Sequence, residues 1–384
     1  MDTRLLWLAL AAFVGSTEGG LIAGLLPGMS RDMGVTAGQA GLVVVGYSLG
    51  YAIGPPLLSV FLGHVGRRRI LGGAEFLLGV TALLIAASPF FFWLVGARTL
   101  LSIAAGTFTG TALAVAAVIA PQGQRGRALQ VIATGQALAV LVGVPLGAFV
   151  SERYSWRVDY AIIGGAAIAA SLALLIKLPR GMHGDTQTIA QRVAVMRVPG
   201  VPTALLTTLL FMIGVYPVTI FIGAEMDAMG VAHTSLPLVL LANGIGAIGA
   251  SMSAGRLSDR FGTAATIAGA ALVLLIAVGV FALLPMVPLG MRLALMLGLM
   301  GIFGYVGWGF WIAHCSAIAD LAPNSVPLAI SLNLTALNLG VAIAAAVGGL
   351  IVDRVGATAL APASMPFVLA ALLLAMRDRR RAAF

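Results

Sequence analysis

The sequence predicts an all-α membrane protein, with twelve transmembrane helices in two pseudo-symmetric six-helix bundles. Three observations carry that expectation. The 384 residues are 60% hydrophobic and 9% charged, against about 25% charged in a soluble domain. Apolar windows of about 20 residues recur along the whole chain, each enough to cross a ~30 Å hydrocarbon layer as a helix and too long and uniform for barrel strands. A short charged segment bounded by glycine also occurs twice between apolar runs. One copy is Gly255-Arg256-Leu257-Ser258-Asp259-Arg260-Phe261-Gly262 and the other is Gly63-His64-Val65-Gly66-Arg67-Arg68-Arg69. Aligning Gly262 with Gly66 gives 262 − 66 = 196, roughly half the chain, so each half carries one such turn.

The net charge of +9 would suit nucleic acid, but its distribution argues for lipid. Of the 22 Lys and Arg, sixteen fall in loops on one side of the expected membrane and five on the other (Arg31, Arg153, Arg157, Arg292, Arg354), with Arg98 inside a span. This bias places both termini in the cytoplasm and requires an even number of spans. Cys315 is the one cysteine, which excludes an intramolecular disulfide. Four scattered histidines make neither a metal site nor a Cys–His pair. No nucleotide-binding glycine loop with its lysine is present. We expect no cofactor, no nucleic-acid partner and no enzyme. The first apolar run continues to Pro27, too long for a cleaved signal.

The expected spans are 5–27, 39–62, 70–88, 90–119, 128–150, 158–178, 203–224, 235–255, 263–284, 291–319, 327–350 and 357–376. Bundles would cover 1–178 and 203–384, joined by a cytoplasmic linker at 179–202. In span one Glu18 is 18 − 5 = 13 residues from the span start, roughly 20 Å deep at 1.5 Å per residue. A carboxylate at that depth is costly unless paired, protonated or wet, which makes it a candidate to exchange protons. Span two carries Gly46, Gly50 and Gly54, and Gly15 with Gly19 repeats the spacing, so helix backbones can approach closely there. Glu75, early in span three, can snorkel or pair locally. Arg98 in span four sits at a depth similar to Glu18, so an ion pair across the bundle is geometrically possible. In span five, Gly143-Val144-Pro145-Leu146-Gly147 puts a proline inside a helix, removing one backbone bond and bending or weakening it.

The linker holds Gly181, Gly184, Pro199 and Pro202, and its middle spaces Ile189, Val193 and Met196 for a short helix on the membrane surface. Glu225 and Asp227 end span seven. Polar Asn243, Asn333 and Asn338 lie inside spans and could line a cavity or tie helices together. Tyr47, Tyr51, Phe211, Tyr216, Tyr305, Trp308 and Trp311 could line a substrate pocket, or simply pack. His314 falls near the cytoplasmic end of span ten, where a wet histidine without a role is expected, and His64 lies in a loop.

These residues resemble the major facilitator superfamily, specifically its drug:proton antiporter group with twelve spans. The Gly255–Gly262 segment resembles the superfamily's loop signature between spans two and three, repeated between spans eight and nine. Ala97-Arg98-Thr99-Leu100 through Gly106 resembles the arginine motif of span four, and Gly135 to Gly147 the span-five motif of antiporters. Gly19-Gly20-Leu21-Ile22-Ala23-Gly24-Leu25-Leu26-Pro27, with Ser331-Leu332-Asn333 through Gly348-Gly349, resembles the branch of arabinose, purine and chloramphenicol exporters. The chain departs at Gly63 and His64, where the family has an acidic residue followed by arginine. The first cytoplasmic latch therefore lacks its carboxylate, which leaves Arg67 and Arg68 without it and gives the second copy (Gly255, Arg256, Asp259, Arg260, Gly262) more of that role. Asp259 is expected at the start of span nine, where a helix N-terminus favours an anion.

The resemblance implies secondary active efflux of a small organic molecule (drug-like, sugar or nucleoside-like), driven by protons through rocking bundles. Glu18 would carry the proton, with Arg98 its partner, and the chain would act as a monomer in the inner membrane. A sugar or metabolite uniporter or importer of the same fold is the alternative, and a non-transporting membrane receptor a third reading.

Overall fold

The computed structural model describes residues 3–120, 125–182 and 189–382. Among the described residues it is helical, without strands, and contains twelve helices long and apolar enough to cross a membrane. In the first half they are α1 (Thr3–Met33), a short α2 (Ala37–Ala40) leading into α3 (Leu42–Phe61), α4 (Arg67–Ala86), α5 (Phe91–Ile119), α6 (Arg125–Leu138) with α7 (Val144–Arg153), and α8 (Trp156–Lys177). A linker helix α9 (Ile189–Met196) follows. The second half runs α10 (Val201–Ile220), short α11 (Ile222–Ala228), α12 (Leu236–Phe261), α13 (Thr263–Ala282), α14 (Leu289–Leu321), α15 (Val326–Arg354) and α16 (Leu360–Ala382).

One expectation about helix ends is corrected. α12 continues through Arg256 and Arg260 to Phe261, so the charged segment is mostly helix and the turn is Gly262 alone. Gly262, at φ +86°, takes a left-handed conformation that side chains rarely adopt, and α13 begins at the next residue. Asp259 therefore lies in the last turn of α12, not at the start of span nine. The helix dipole disfavours an anion there and suits Arg260. In span five a π-helical turn, Ala139–Gly143, joins α6 to α7 in continuous helical geometry and lies just before Pro145, a local irregularity of the kind that a proline's missing backbone bond brings.

The chain divides into two compact units: Met1–Met33 with Gly46–Thr188, and Gly34–Val45 with Ile189–Phe384. The boundary falls inside α3. In the first unit a core cluster draws Leu8, Ala11 and Ala12 of α1, Leu71 and Ala74 of α4, Phe108, Ala112 and Val115 of α5, and Ala170 and Leu174 of α8 together. In the second unit, residues 34–45 belong because α2 docks on the end of α15. Thr36 caps α2, and its hydroxyl donates to Asp353 Oδ2 at 2.7 Å. Gly38 N–H donates to Asp353 Oδ1 at 3.0 Å. The linker helix also packs on this unit. Val195 is buried with Ala204, Ile318, Ala322, Leu328 and Ala329, and Arg192 Nη1 donates to Ser331 Oγ at 2.9 Å. Val193 and Met196, on the apolar face expected for a surface helix, remain exposed. Residues 183–188 of the linker, including Gly184, lie outside the described residues.

Candidate functional site

The first unit brings Glu18, Arg98, Tyr47 and Tyr160 together in a space made by small residues. On α1, Glu18 shares a buried face with Val14, Leu21 and Leu25, the positions three to seven residues away that one helix face presents. Gly19 on α1 leaves room for Tyr47, since a Cβ there would stand 2.9 Å from its hydroxyl. The Gly46, Gly50 and Gly54 stripe of α3 lies against Val95, Thr99, Ser102 and Ile103 of α5, with no space for side chains. On α7 and the π-turn, Gly147 and Gly143 meet Leu21 and Thr17 of α1 in the same way. The close approaches hold α1, α3 and α5 at the distance where their polar side chains meet.

At the centre, Arg98 Nη2 lies 3.3 Å from Glu18 Oε1, with Arg98 1% and Glu18 0% exposed. Arg98 Nη1 donates to the hydroxyl of Tyr160 on α8, and that hydroxyl donates to Glu18 Oε1 at 3.3 Å. Tyr160 closes a triangle that links three helices. The Arg98 guanidinium also stands 4.9 Å from the Tyr47 ring centroid, a distance at which a cation is attracted to the ring face. Glu18 Oε2, Arg98 Nε and Thr17 Oγ1 are buried without a hydrogen-bond partner. The site thus combines a paired charge with a spare carboxylate oxygen, which can take a proton. A proton on Glu18 and the positive charge of Arg98 compete for the same carboxylate.

Tyr160 was not singled out from sequence. Its span was expected from residue 158, which put Tyr160 at the membrane edge. The helix starts at Trp156, capped by Ser155, and the long tyrosine side chain carries the hydroxyl inward.

The remaining sequence candidates separate by environment. Tyr47 and Tyr51 are half-buried in the first unit, with ring centroids 6.0 Å apart. In the second unit Tyr216 and Trp308 are half-buried. Asn243, also half-buried, donates to the Met300 carbonyl at 3.3 Å. Phe211 is 0% exposed and stacked on Phe310 at 3.8 Å, so it packs in the core instead of lining an open space. Asn338 donates to Leu334 O of its own helix at 2.9 Å. Arg256, Asp259 and Arg260 are exposed at the end of α12, and Arg67 and Arg68 are half-buried at the start of α4.

The second unit holds a polar cluster that the sequence reading split apart. His314, expected to be wet, is 2% exposed. Its Nδ1 lies 3.1 Å from Thr208 Oγ1, which donates to Asn333 Oδ1 at 2.7 Å. Asn333 Nδ2 approaches Cys315 Sγ at 3.9 Å, and His314 stacks on Phe310 at 4.9 Å. The signal was positional. Thr208 is 208 − 201 = 7 residues into α10, Asn333 is 333 − 326 = 7 into α15, and His314 is 321 − 314 = 7 from the end of α14. All three therefore stand about 10 Å from the same end of the unit.

Comparison with known proteins gives the same architecture. Inner membrane transport protein YdhP of Escherichia coli (strain K12) is 28% identical over 98% of this chain and 96% of its own. The chloramphenicol efflux pump Rv0191 of Mycobacterium tuberculosis (strain H37Rv) is 28% identical over 92% of this chain and 86% of its own. Among solved structures, a D-xylose–proton symporter superposes with a TM-score of 0.78 at 16% identity, covering 96% of each chain, which is a likeness of fold. The sequence matches the Major Facilitator Superfamily over residues 8–313 and 204–383, a span that takes in both units. With twelve membrane-crossing helices and this match along its length, the chain is an integral membrane transporter and belongs to the Major Facilitator Superfamily.

Proposed function

We propose that the chain is a secondary active exporter, moving a small organic molecule outward in exchange for inward protons by alternating access. The observation that supports this most is the buried triangle of Glu18, Arg98 and Tyr160. An ionisable pair inside a membrane span is expensive, and such groups mark ion and substrate pathways. Glu18 carries the proton. Arg98 holds Glu18 ionised while cargo is bound, and a proton arriving at Glu18 weakens the pair and the cargo's hold with it, so the two ligands couple.

The relative named as a chloramphenicol efflux pump supports a partly apolar, drug-like cargo. Half-buried Tyr47, Tyr51, Tyr216, Asn243 and Trp308 contact it, and Asn333 and Asn338 hold the second unit's polar interior. Gly143, Pro145 and Gly147 give the flexible seam beside α1. Arg67 and Arg68, and Gly255, Arg256, Asp259, Arg260 and Gly262, serve the cytoplasmic gate. Both termini lie in the cytoplasm, the membrane is the inner one, and the working form is a monomer with the bundles 1–178 and 203–384 joined by the linker 179–202.

The test is proton release from the purified chain in weakly buffered detergent on adding chloramphenicol and a panel of neutral and monocationic drugs. Native chain should release about one proton per bound molecule, and Glu18→Gln none, because cargo and proton compete for one carboxylate. Binding without release by the native chain would replace this reading with a uniporter.

A further inference from the structure

Glu75 does neither of the things expected of it. It is on α4, 75 − 67 = 8 residues from the helix start, about 12 Å from that end and beyond a glutamate's reach to water. It is 0% exposed, and neither carboxylate oxygen has a hydrogen-bond partner. A buried carboxylate left unpaired destabilises a fold that a leucine would stabilise, which points to a use for it.

The register between helices places it. α1 and α4 run in the same direction and meet at Gly15, where a Cβ would stand 3.6 Å from Leu78 Cδ1. Glu18 is three residues beyond Gly15 toward the far end of α1. Glu75 is three residues before Leu78, toward the start of α4. The two carboxylates are therefore offset by six residues, about 9 Å along the bundle. On α8, Ser171 Oγ donates to Gly72 O at 2.7 Å and Ile168 packs on Gly79, so Glu75 faces the stretch between them. The ionisable side chains on the surrounding helices stand elsewhere. Arg98 of α5 and Tyr160 of α8 are held at Glu18. Arg157 and Asp159 are at the opening turn of α8, and Lys177 at its end. Arg4 opens α1, Arg31 and Asp32 close it, and Arg67, Arg68 and Arg69 open α4. The stretch between Glu18 and the start of α4 thus has Glu75 as its one carboxylate among the described residues.

We propose that Glu75 is the relay for the transported proton, receiving it from Glu18 and delivering it to the end of the bundle where α4 begins. This rests on the reading of Glu18 as proton carrier. The separation is too long for one direct transfer, so the proton leaves the Glu18 carboxyl through water, neutralises the Glu75 carboxylate, and departs from there to solvent. One proton moves, Glu18 regains its charge and its pairing with Arg98, and no other bond changes.

Time-resolved infrared spectroscopy tests this without a known cargo. The full chain in proteoliposomes is given a pH jump on the side where α4 begins, and the carboxyl bands are followed, each assigned by its loss in Glu18→Gln or Glu75→Gln. In the native chain both bands should respond, Glu75 first. In Glu75→Gln the Glu18 response should slow by about tenfold or more, as when a positioned proton donor is removed, and Glu75→Asp should recover part of the rate. Unchanged melting of the glutamine variant shows that the fold is kept, and if it melts lower, Glu75→Asp carries the kinetic comparison. A Glu18 response as fast in Glu75→Gln as in the native chain overturns the relay and leaves Glu18 as carrier. A native Glu18 band that never responds to pH overturns the carrier reading and the relay with it.

Discussion

Arg98 serves two acceptors at once, with Nη2 at Glu18 and Nη1 at the Tyr160 hydroxyl. Lysine offers one point charge in place of that fork. Arg98→Lys is therefore expected to abolish proton-driven efflux while Tyr160→Phe lowers it about tenfold, the scale of one hydrogen bond to a charged group. Initial rates in vesicles check both. One buried carboxyl lies outside the spans. Glu225 of α11 is 0% exposed with both oxygens unpartnered, and burial pushes its pKa up from 4.5 to about 8. Between those values the folded state keeps a proton that the unfolded chain has lost, so stability falls as pH rises through that window. Glu225→Gln should melt about 2–4 °C higher than the native chain above that window and no higher below it, read by thermal unfolding. Rarity made Glu18 and Arg98 legible in the sequence, because a charge inside an apolar window stands out. Tyr160 and Thr208 were not, because such residues in a span are common and only the fold shows which of them a charge or a histidine meets.

Helices were legible as elements because hydropathy marks the length that must stay in lipid. Their ends were not. α12 keeps its backbone bonds through Arg256 and Arg260 and stops only at Gly262. Polar side chains do not break a helix; a left-handed glycine does. The glycine spacing in α3 predicted close packing but not its partner, which proves to be the Thr99–Ile103 stretch of α5 beside Arg98. This gives a paired prediction. Gly50→Ala puts a methyl group into Thr99 O and Ser102 Oγ, and should cost about 1–3 kcal/mol by overpacking together with most of the transport rate. Gly110→Ala, on α5 with nothing within 4 Å of its Cβ, should leave both within error, or stabilise slightly by helix propensity. Melting curves and efflux rates on the two variants separate a packing seam from a dispensable glycine.

At the scale of the molecule, composition and the half-chain repeat are enough for twelve spans. The membership of residues 34–45 in the second unit depends on partners 317 positions apart, Thr36 and Asp353, and no local pattern announces that. Asp353→Ala removes an anion from the first turn of α2 and two hydrogen bonds, each worth about 1 kcal/mol. With Cys315→Ser as background, a cysteine at the buried Ala40 should then react with a membrane-permeant maleimide about tenfold faster than in the chain with Asp353 intact, the factor expected for ~1.4 kcal/mol. The Glu18–Arg98 pair has an electrical consequence as well. With Glu18 ionised the pair sums to zero, and with Glu18 protonated the positive charge of Arg98 remains. In the proposed cycle a neutral cargo leaves on an uncharged centre and the proton comes back on a charged one. Voltage then acts on the return leg alone, contributing about 2.3 kcal/mol per 100 mV, and such a carrier pumps on membrane potential even where the two compartments share one pH.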